Sequence, residues 1–481
     1  MKKNYILKTA ALIKSLYSSD YYVVLLSVLV LIGWISGFWV EFILAMLVLT
    51  IAGTLLTPDL RHVLSFLILY GATMSTQEVS SADIALFVTF SVMEAIALVA
   101  NVIMYKRDFS VLSPSKIKGF TFAHVLLIIP FLLAGAGFNG ENKNASWVAA
   151  ALVLLITALY VFLYVGLVKS ERKNFIDYVL KSVFALSLVS SLELLVHLFR
   201  LGDIDAIVTT LQNKNLWIGW TGPNTIASII SMGLPCALYF CVKKRKLSFL
   251  IVPFCVLIFF VELALIIFSG CRGAVLFSLF LTPSLLLYAM WKTECKTLFF
   301  ASFSIIFLLV ALLTVKYGDS VLKVLSTMIN KGMSSSGRVE EIYPEAIILF
   351  KNNPLFGVGW GYKLTHTMAG LWQPYLFHST FFQFLANMGV VGVVFLLIFY
   401  LWRYFLVLPM YKNPAAIAVI ASILLFDMYS MIDTSFFSPA LFIMLDVMSL
   451  SMELDMPENR CLAFLGKNPL KFFNSVITHR K

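Results

Sequence analysis

Three groups of residues in one stretch of this 481-residue chain carry the types and spacing that could do chemistry. They are Ser336-Gly337-Arg338, then Asn353-Pro354-Leu355-Phe356-Gly357-Val358-Gly359-Trp360-Gly361, then His378-Ser379-Thr380-Phe381-Phe382-Gln383. An imidazole with its ordinary pKa of about 6.5 accepts a proton near neutral pH. His378 therefore fits a general base, with His366 as the alternative. Taken alone, Arg338 reads as a solvated charge paired with Glu341 or Glu345. Gly357, Gly359 and Gly361 permit positive φ and close backbone approach to a ligand. As a phosphate cradle the turn is weak, because it lacks the strand–helix context and Lys-Ser/Thr pair of a P-loop. There is no Ser-His-Asp pattern, no HExxH and no recognisable carboxylate pair, so hydrolysis through a metal or a triad is unsupported.

Further ionisable residues fall in apolar runs, where they are costly and become functional candidates. Glu193 and His197 are four apart and share a helix face. Glu262, Asp427 and Asp433 lie toward the same ends of their runs, and Arg272 sits in the turn Ser269-Gly270-Cys271-Arg272-Gly273-Ala274. Together they suggest a polar cavity. The plainer account is that helix ends are polar and Arg snorkels to the interface.

The elements that must position these residues are lipid-soluble. Hydrophobic residues make up 60% of the chain and charged ones 13%, against about 25% charged in soluble domains. Mean hydropathy is +0.92. With about 20 apolar residues per span, we count about 14 segments. They centre on 22–37, 40–56, 62–75, 83–104, 119–138, 147–168, 176–198, 224–242, 248–268, 273–290, 297–315, 381–402, 414–432 and 437–452. The expected fold is an all-α polytopic membrane bundle of about 12–14 transmembrane helices, with one long loop containing short helices. Residues 1–20 read as an interfacial amphipathic helix with Ile6, Ala10, Ile13 and Tyr17 at helical spacing. Residues 21–315 and 381–452 hold the spans, 316–380 form the catalytic loop, and 453–481 are a basic tail. The six cysteines include no CxxC pair, so neither a disulfide framework nor a metal site is indicated.

Charge placement orients the bundle. Lys and Arg cluster in alternate connections, which predicts cytoplasmic termini and explains the net charge of +11 without nucleic acid. The connections 75–83, 139–146, 200–223, 269–272, 317–378 and 433–439 are poor in Lys and Arg, so the long loop is expected outside the cytoplasm. Arg338 should open a helix with Val339, Ile342, Ala346 and Phe350 on one face. Pro344 should interrupt or restart it, and Asn353-Pro354 should end it.

This combination resembles the O-antigen ligase and polysaccharide polymerase superfamily of bacterial cell envelopes. The resemblance rests on Gly222-Pro223-Asn224-Thr225-Ile226-Ala227 opening a span and on Cys271-Arg272-Gly273-Ala274, with Cys where the family has Ser. It also rests on Arg338 running into Asn353-Pro354-Leu355-Phe356-Gly357-Val358-Gly359, and on His378 to Gln383 with Ser379 in place of Asn. Asn387 stands in place of a family Glu. The resemblance implies a GT-C-like glycosyltransferase of the bacterial inner membrane. Such an enzyme moves glycan from undecaprenyl pyrophosphate to a sugar hydroxyl, without metal or cofactor. A glycosyl pyrophosphate already carries an activated bond, so the enzyme must neutralise the leaving group and position the acceptor. On this reading Arg272 and Arg338 clamp the pyrophosphate and His378 takes the acceptor proton. Asn224, Gly357, Gly359, Gln383, Glu193, His197 and Glu262 are the expected substrate contacts.

Polymerisation of lipid-linked repeat units for capsule, exopolysaccharide or O-antigen is the leading expectation. Lipid-linked glycan would serve as donor and acceptor, with membrane lipids, chain-length regulators and flippases as partners. The alternative is ligation of finished glycan to lipid A-core or protein. A lipid-linked oligosaccharide flippase is the reading from another class, for which Asp446 and Glu94 near mid-span would matter most.

Overall fold

The computed structural model describes residues 14–70, 81–112, 119–136, 144–170, 174–212, 216–218, 222–330, 337–366 and 372–456. The amphipathic N-terminus through Ile13, most of the 75–83 and 139–146 connections, Ser336 and the tail beyond Met456 lie outside the described residues.

Backbone polar groups in lipid must be satisfied within the segment, so apolar runs fold as helices. Each of the fourteen segments coincides with one. These helices are α1 (Asp20–Ser36), α2 (Trp39–Leu56), α3 (Arg61–Tyr70), α4 (Ser81–Met104), α5 (Gly119–Leu133), α6 (Asn144–Leu167) and α7 (Phe175–Leu201). After the short α8 (Ile204–Gln212) come α9 (Pro223–Val242), α10 (Ser248–Phe268), α11 (Arg272–Lys292) and α12 (Lys296–Asn330). The loop helix α13 (Tyr343–Asn352) precedes α14 (Thr380–Val407), α15 (Pro414–Ser430) and α16 (Pro439–Asp455). Eight of the described helices are long and apolar enough to cross a membrane, and five more apolar helices are shorter. The ten residues of α3 reach only about 15 Å. Eight of them are buried, so this piece is a core helix.

At the centre runs α9, in which every residue from Ile226 to Val242 is buried. It packs against α7, α10, α11 and α15. Only 11% of the apolar 18-residue stretch within Lys296–Asp319 of α12 is buried, which puts that helix at the periphery. It continues past the expected boundary at 315, bending at Tyr317 (φ −117°, ψ 17°) and running on to Asn330. The start of the loop is therefore helical. A two-stranded hairpin, β1 (Leu364–His366) and β2 (Trp372–Pro374), adds the only strands among the described residues.

One long helix is broken. Gly389, inside α14, has φ 63° and ψ −154°, a combination open almost only to glycine. A broken helix at membrane depth must find substitute hydrogen bonds, and the Asn353–Gly359 turn supplies them. Val358 N–H donates to Ala386 O (2.9 Å) and Gly359 N–H to Asn387 O (3.0 Å). On the other side of the break, Val390 N–H donates to Pro354 O (2.8 Å) and Val391 N–H to Leu355 O (3.2 Å). The turn is also tied to the α5–α6 corner, where Gly135 N–H donates to Phe356 O (2.8 Å) and Trp360 N–H to Ser146 Oγ (3.0 Å). This backbone splice fixes the loop on the bundle.

Candidate functional site

A cavity of about 2090 Å³ opens at one end of the bundle. Its lining draws on five of the six Lys/Arg-poor connections, through residues such as Ala145, Trp217, Asn224, Arg272, Arg338, His378 and Asp433. The sequence places these connections on one side, and the fold brings them to one chamber.

Each functional side chain is held by local structure. Arg338 begins a π-turn after Gly337 (φ 65°), and Pro344 then occupies the first turn of α13, so the proline restarts the helix as its sequence predicts. Ala346 and Leu349 of α13 pack with Val358, Phe377 and Ala386, which seats the loop helix on the splice. Arg338 Nη1 donates to Ile432 O at 2.6 Å, so its anchor is the α15–α16 connection and not the expected Glu341 or Glu345. Arg272 is the first residue of α11, exposed on the cavity wall after Cys271. The N-terminus of α9 also opens on the cavity, through Gly222, Pro223 and Asn224. Helix N-termini favour anions, so two dipoles and two guanidinium groups bias this chamber toward negative charge.

His378 has φ 51°, left-handed backbone that a non-glycine residue adopts only where its surroundings enforce it. Gln383 is fully buried, accepting from Phe377 N–H (2.8 Å) and donating to Tyr375 O (3.0 Å). Tyr343 OH donates to His378 O (3.3 Å), and its ring stacks on Phe382 at 4.3 Å. Ser379 caps α14 through Phe382 N–H and donates its hydroxyl to Met431 O (2.7 Å). The imidazole Nδ1 then lies 4.0 Å from Asp433 Oδ1, an ion-pair distance beyond hydrogen-bond length.

Asp433 is the hub. Its Oδ2 accepts from Tyr429 OH (2.6 Å) and Asn224 Nδ2 (2.8 Å), and its Oδ1 from Thr434 N–H (2.7 Å). Cys271 Sγ donates to Tyr429 OH (3.3 Å), which links the turn of Arg272 to the same carboxylate. Burial alone raises the pKa of Asp433. His378, Tyr429, the charge of Arg338 and the Thr434 N–H outweigh it and hold the carboxyl below its usual range. Asp433 is thus an anion facing His378 and Arg338. The sequence marked it only as an ionisable residue near a span end, because no local motif connects it to a histidine 55 positions earlier.

Several expected contacts are placed elsewhere. Gln383 has both ends of its amide committed to backbone, so it positions the His378 turn and does not line the cavity. Gly357 and Gly359 are taken up by the splice: a Cβ on Gly357 would fall 2.3 Å from the Asn387 carbonyl carbon. Glu193, His197 and Glu262 are also absent from the cavity lining. Glu193 and Glu262 are fully buried, the latter beside Ser187 and Gly233. Their helices turn these faces into the bundle. His366 sits on β1 opposite Trp372, and its side chain lies outside the described residues. Asp427 is spent on buried Arg403 and on Tyr404 (2.6 Å). The mid-span acids are engaged too, Asp446 by His124 (2.7 Å) and Glu94 by Thr54 (2.8 Å).

The other walls of the cavity are apolar and outward-facing. Val148 of α6 is 68% exposed, and Leu276 and Phe280 of α11 are 62% and 71% exposed, yet all three line the chamber. Two helices of a membrane bundle thus present an apolar slot that runs from the chamber to their lipid-facing surfaces. Chemically, the arrangement pairs a cationic, base-bearing pole with an oily lateral wall.

Residues 254–397 match the family model described as O-antigen ligase. The matched segment contains Arg272, Arg338, His378 and the whole splice, while Asn224 and Asp433 come from outside it. No curated protein matches the chain.

Proposed function

We propose that this membrane protein is a glycosyltransferase that extends lipid-linked polysaccharide. It passes glycan from a polyprenyl pyrophosphate, of the undecaprenyl class, to a sugar hydroxyl on the outer face of the bacterial cytoplasmic membrane. The observation that carries this reading is the single cavity shared by Arg272, Arg338 and His378 and open along an apolar slot. Only an amphiphilic substrate uses both poles.

The lipid tail lies along Val148, Leu276 and Phe280, and the pyrophosphate faces the two arginines and the N-termini of α9 and α11. Guanidinium groups make planar, permanently charged forks suited to phosphate oxygens. As the acceptor hydroxyl attacks the anomeric carbon, its proton passes to the free nitrogen of the His378 imidazole. The bond from that carbon to the pyrophosphate oxygen breaks, and the lipid pyrophosphate leaves with the electron pair. Asp433 balances the imidazolium as it forms, the role a buried carboxylate plays in serving a general base. A single displacement of this kind inverts the anomeric centre.

A second reading, ligation of finished glycan to lipid A-core or protein, draws support from the description of the matched family. It uses the same donor chemistry with a different acceptor. Flippase activity is less well served, because the mid-span acids are already engaged by His124 and Thr54. The test is purified protein in detergent with polyprenyl-pyrophosphate-linked repeat units. A ladder of lengthened products that disappears with Arg338→Ala supports polymerisation. Product formed only on addition of lipid A-core supports ligation, and no transfer to either acceptor sinks the transferase reading.

A further inference from the structure

We infer that Trp217 is the stacking platform for a pyranose ring of the glycan, one that selects the sugar next to the pyrophosphate. This rests on the transferase reading of the same cavity. The segment 216–218 contains two buried residues, Leu216 (1% exposed) and Ile218 (2% exposed). Trp217 lies between them, half-buried and on the cavity wall. Trp34 Nε1 donates to Ile218 O at 2.7 Å and pins the segment to α1, and the Arg200 guanidinium lies over the Trp34 ring at 5.3 Å. The indole is therefore carried on a fixed support.

One edge of the Trp217 ring faces Gly222, the residue before α9, where an added Cβ would meet it at 3.5 Å. That placement sets the ring near the start of α9, at the anion-attracting end of the chamber that Asn224 also lines. Three other cavity aromatics are committed to one another: Trp360 stacks on Phe131 at 5.5 Å and 8°, and meets Phe437 edge-on at 5.1 Å. Among the described residues, Trp217 makes no ring contact and no side-chain hydrogen bond.

The chemistry of an indole on the cavity wall restricts its ligand. Its π face is electronegative, which repels a phosphate and attracts the polarised C–H groups of a sugar ring. Its N–H is a donor suited to a ring or hydroxyl oxygen. A polyprenyl tail needs neither feature and already has the aliphatic slot. The group that fits is a pyranose with an apolar face, attached to the pyrophosphate held at Arg272.

The experiment compares binding of bare polyprenyl pyrophosphate with the same lipid carrying its oligosaccharide, by titration in detergent. Wild type should bind the glycosylated form about 10-fold or more tightly. Trp217→Leu keeps apolar bulk without a π face, and should lose that preference while binding the bare lipid as wild type does. Trp217→Phe should retain most of it. Retention of the full preference by Trp217→Leu overturns the platform, as does an equal loss of both ligands in that variant. A wild type that binds neither lipid overturns the pyrophosphate reading and the platform with it, which separates the two failures.

Discussion

The Nδ1 of His378 faces the Oδ1 of Asp433 across 4.0 Å, with the imidazole 42% exposed and the carboxylate 10% exposed. An open imidazole thus stands against a buried carboxylate contributed by a different connection. Asp433→Asn keeps the shape and removes the charge, so it should lower turnover by about 10²- to 10⁴-fold. His378→Ala should fall as far or further. Product formation per minute on lipid-linked donor checks both. Near-normal turnover in His378→Ala would move the base to His366 or to the substrate itself.

The Asp433 charge also contributes to folding, with a defined sign. Its carboxyl is held below the ordinary value of about 3.9, so the stabilisation is complete above that pH and is lost as pH falls through the folded value. The melting temperature of wild type should exceed that of Asp433→Asn at about pH 6, and the gap should narrow below about pH 4. A gap that stays constant into acid would mean that the carboxylate is not preferentially ionised in the fold.

Arg272 and Arg338 are expected to fail as lysines. An ammonium is a point charge without the planar fork, so each Arg→Lys variant should lose about 10- to 100-fold in activity with expression unchanged. Arg338→Lys should be the more severely affected, because the guanidinium is also anchored to Ile432 O. Full activity in both variants would remove the clamp.

The splice predicts a sharp contrast among glycines. Gly389→Ala would place a methyl 2.5 Å from the carbonyl oxygens of Pro354 and Leu355, on backbone that L residues avoid. It should destabilise the protein by about 3 kcal/mol or more and abolish transfer. Gly37, also at positive φ, has nothing within 4 Å of its would-be side chain. Gly37→Ala should cost only about 1 kcal/mol and leave activity intact. Thermal denaturation in detergent measures both.

The apolar slot predicts a dependence on tail length. Leu276→Glu places a carboxylate on the lateral wall, where burying it against a hydrocarbon chain is costly. Transfer from a long polyprenyl donor should drop, whereas a donor with a short, water-soluble tail should be used nearly as well as by wild type. Equal loss with both donors would show that the slot does not hold the tail.

Much of the fold is legible in the sequence because lipid admits few solutions. Each apolar run is a helix, and Pro344 and Asn353 restart and end the loop helix where backbone chemistry says they should. The less legible parts depend on long-range backbone pairing. Gly357 and Gly359 read locally as freedom to approach a ligand, but they approach the broken α14 instead. Gln383, read as a substrate contact, is consumed by two backbone groups within eight positions of it. Glu193, His197 and Glu262 sit on helix faces whose inward direction depends on packing partners that periodicity alone does not name.

By itself, the sequence determined the class of molecule, the helical segments and the set of connections that share one side. These follow from hydrophobicity, hydrogen-bond satisfaction in lipid and the placement of charge, all of them local or additive properties. Tertiary structure alone decided that Asp433 meets His378, that Arg338 is anchored to Ile432, and that the glycine turn mends a broken helix. Those contacts join residues up to about a hundred positions apart in chain order. No local periodicity encodes which buried faces and broken backbones will find each other.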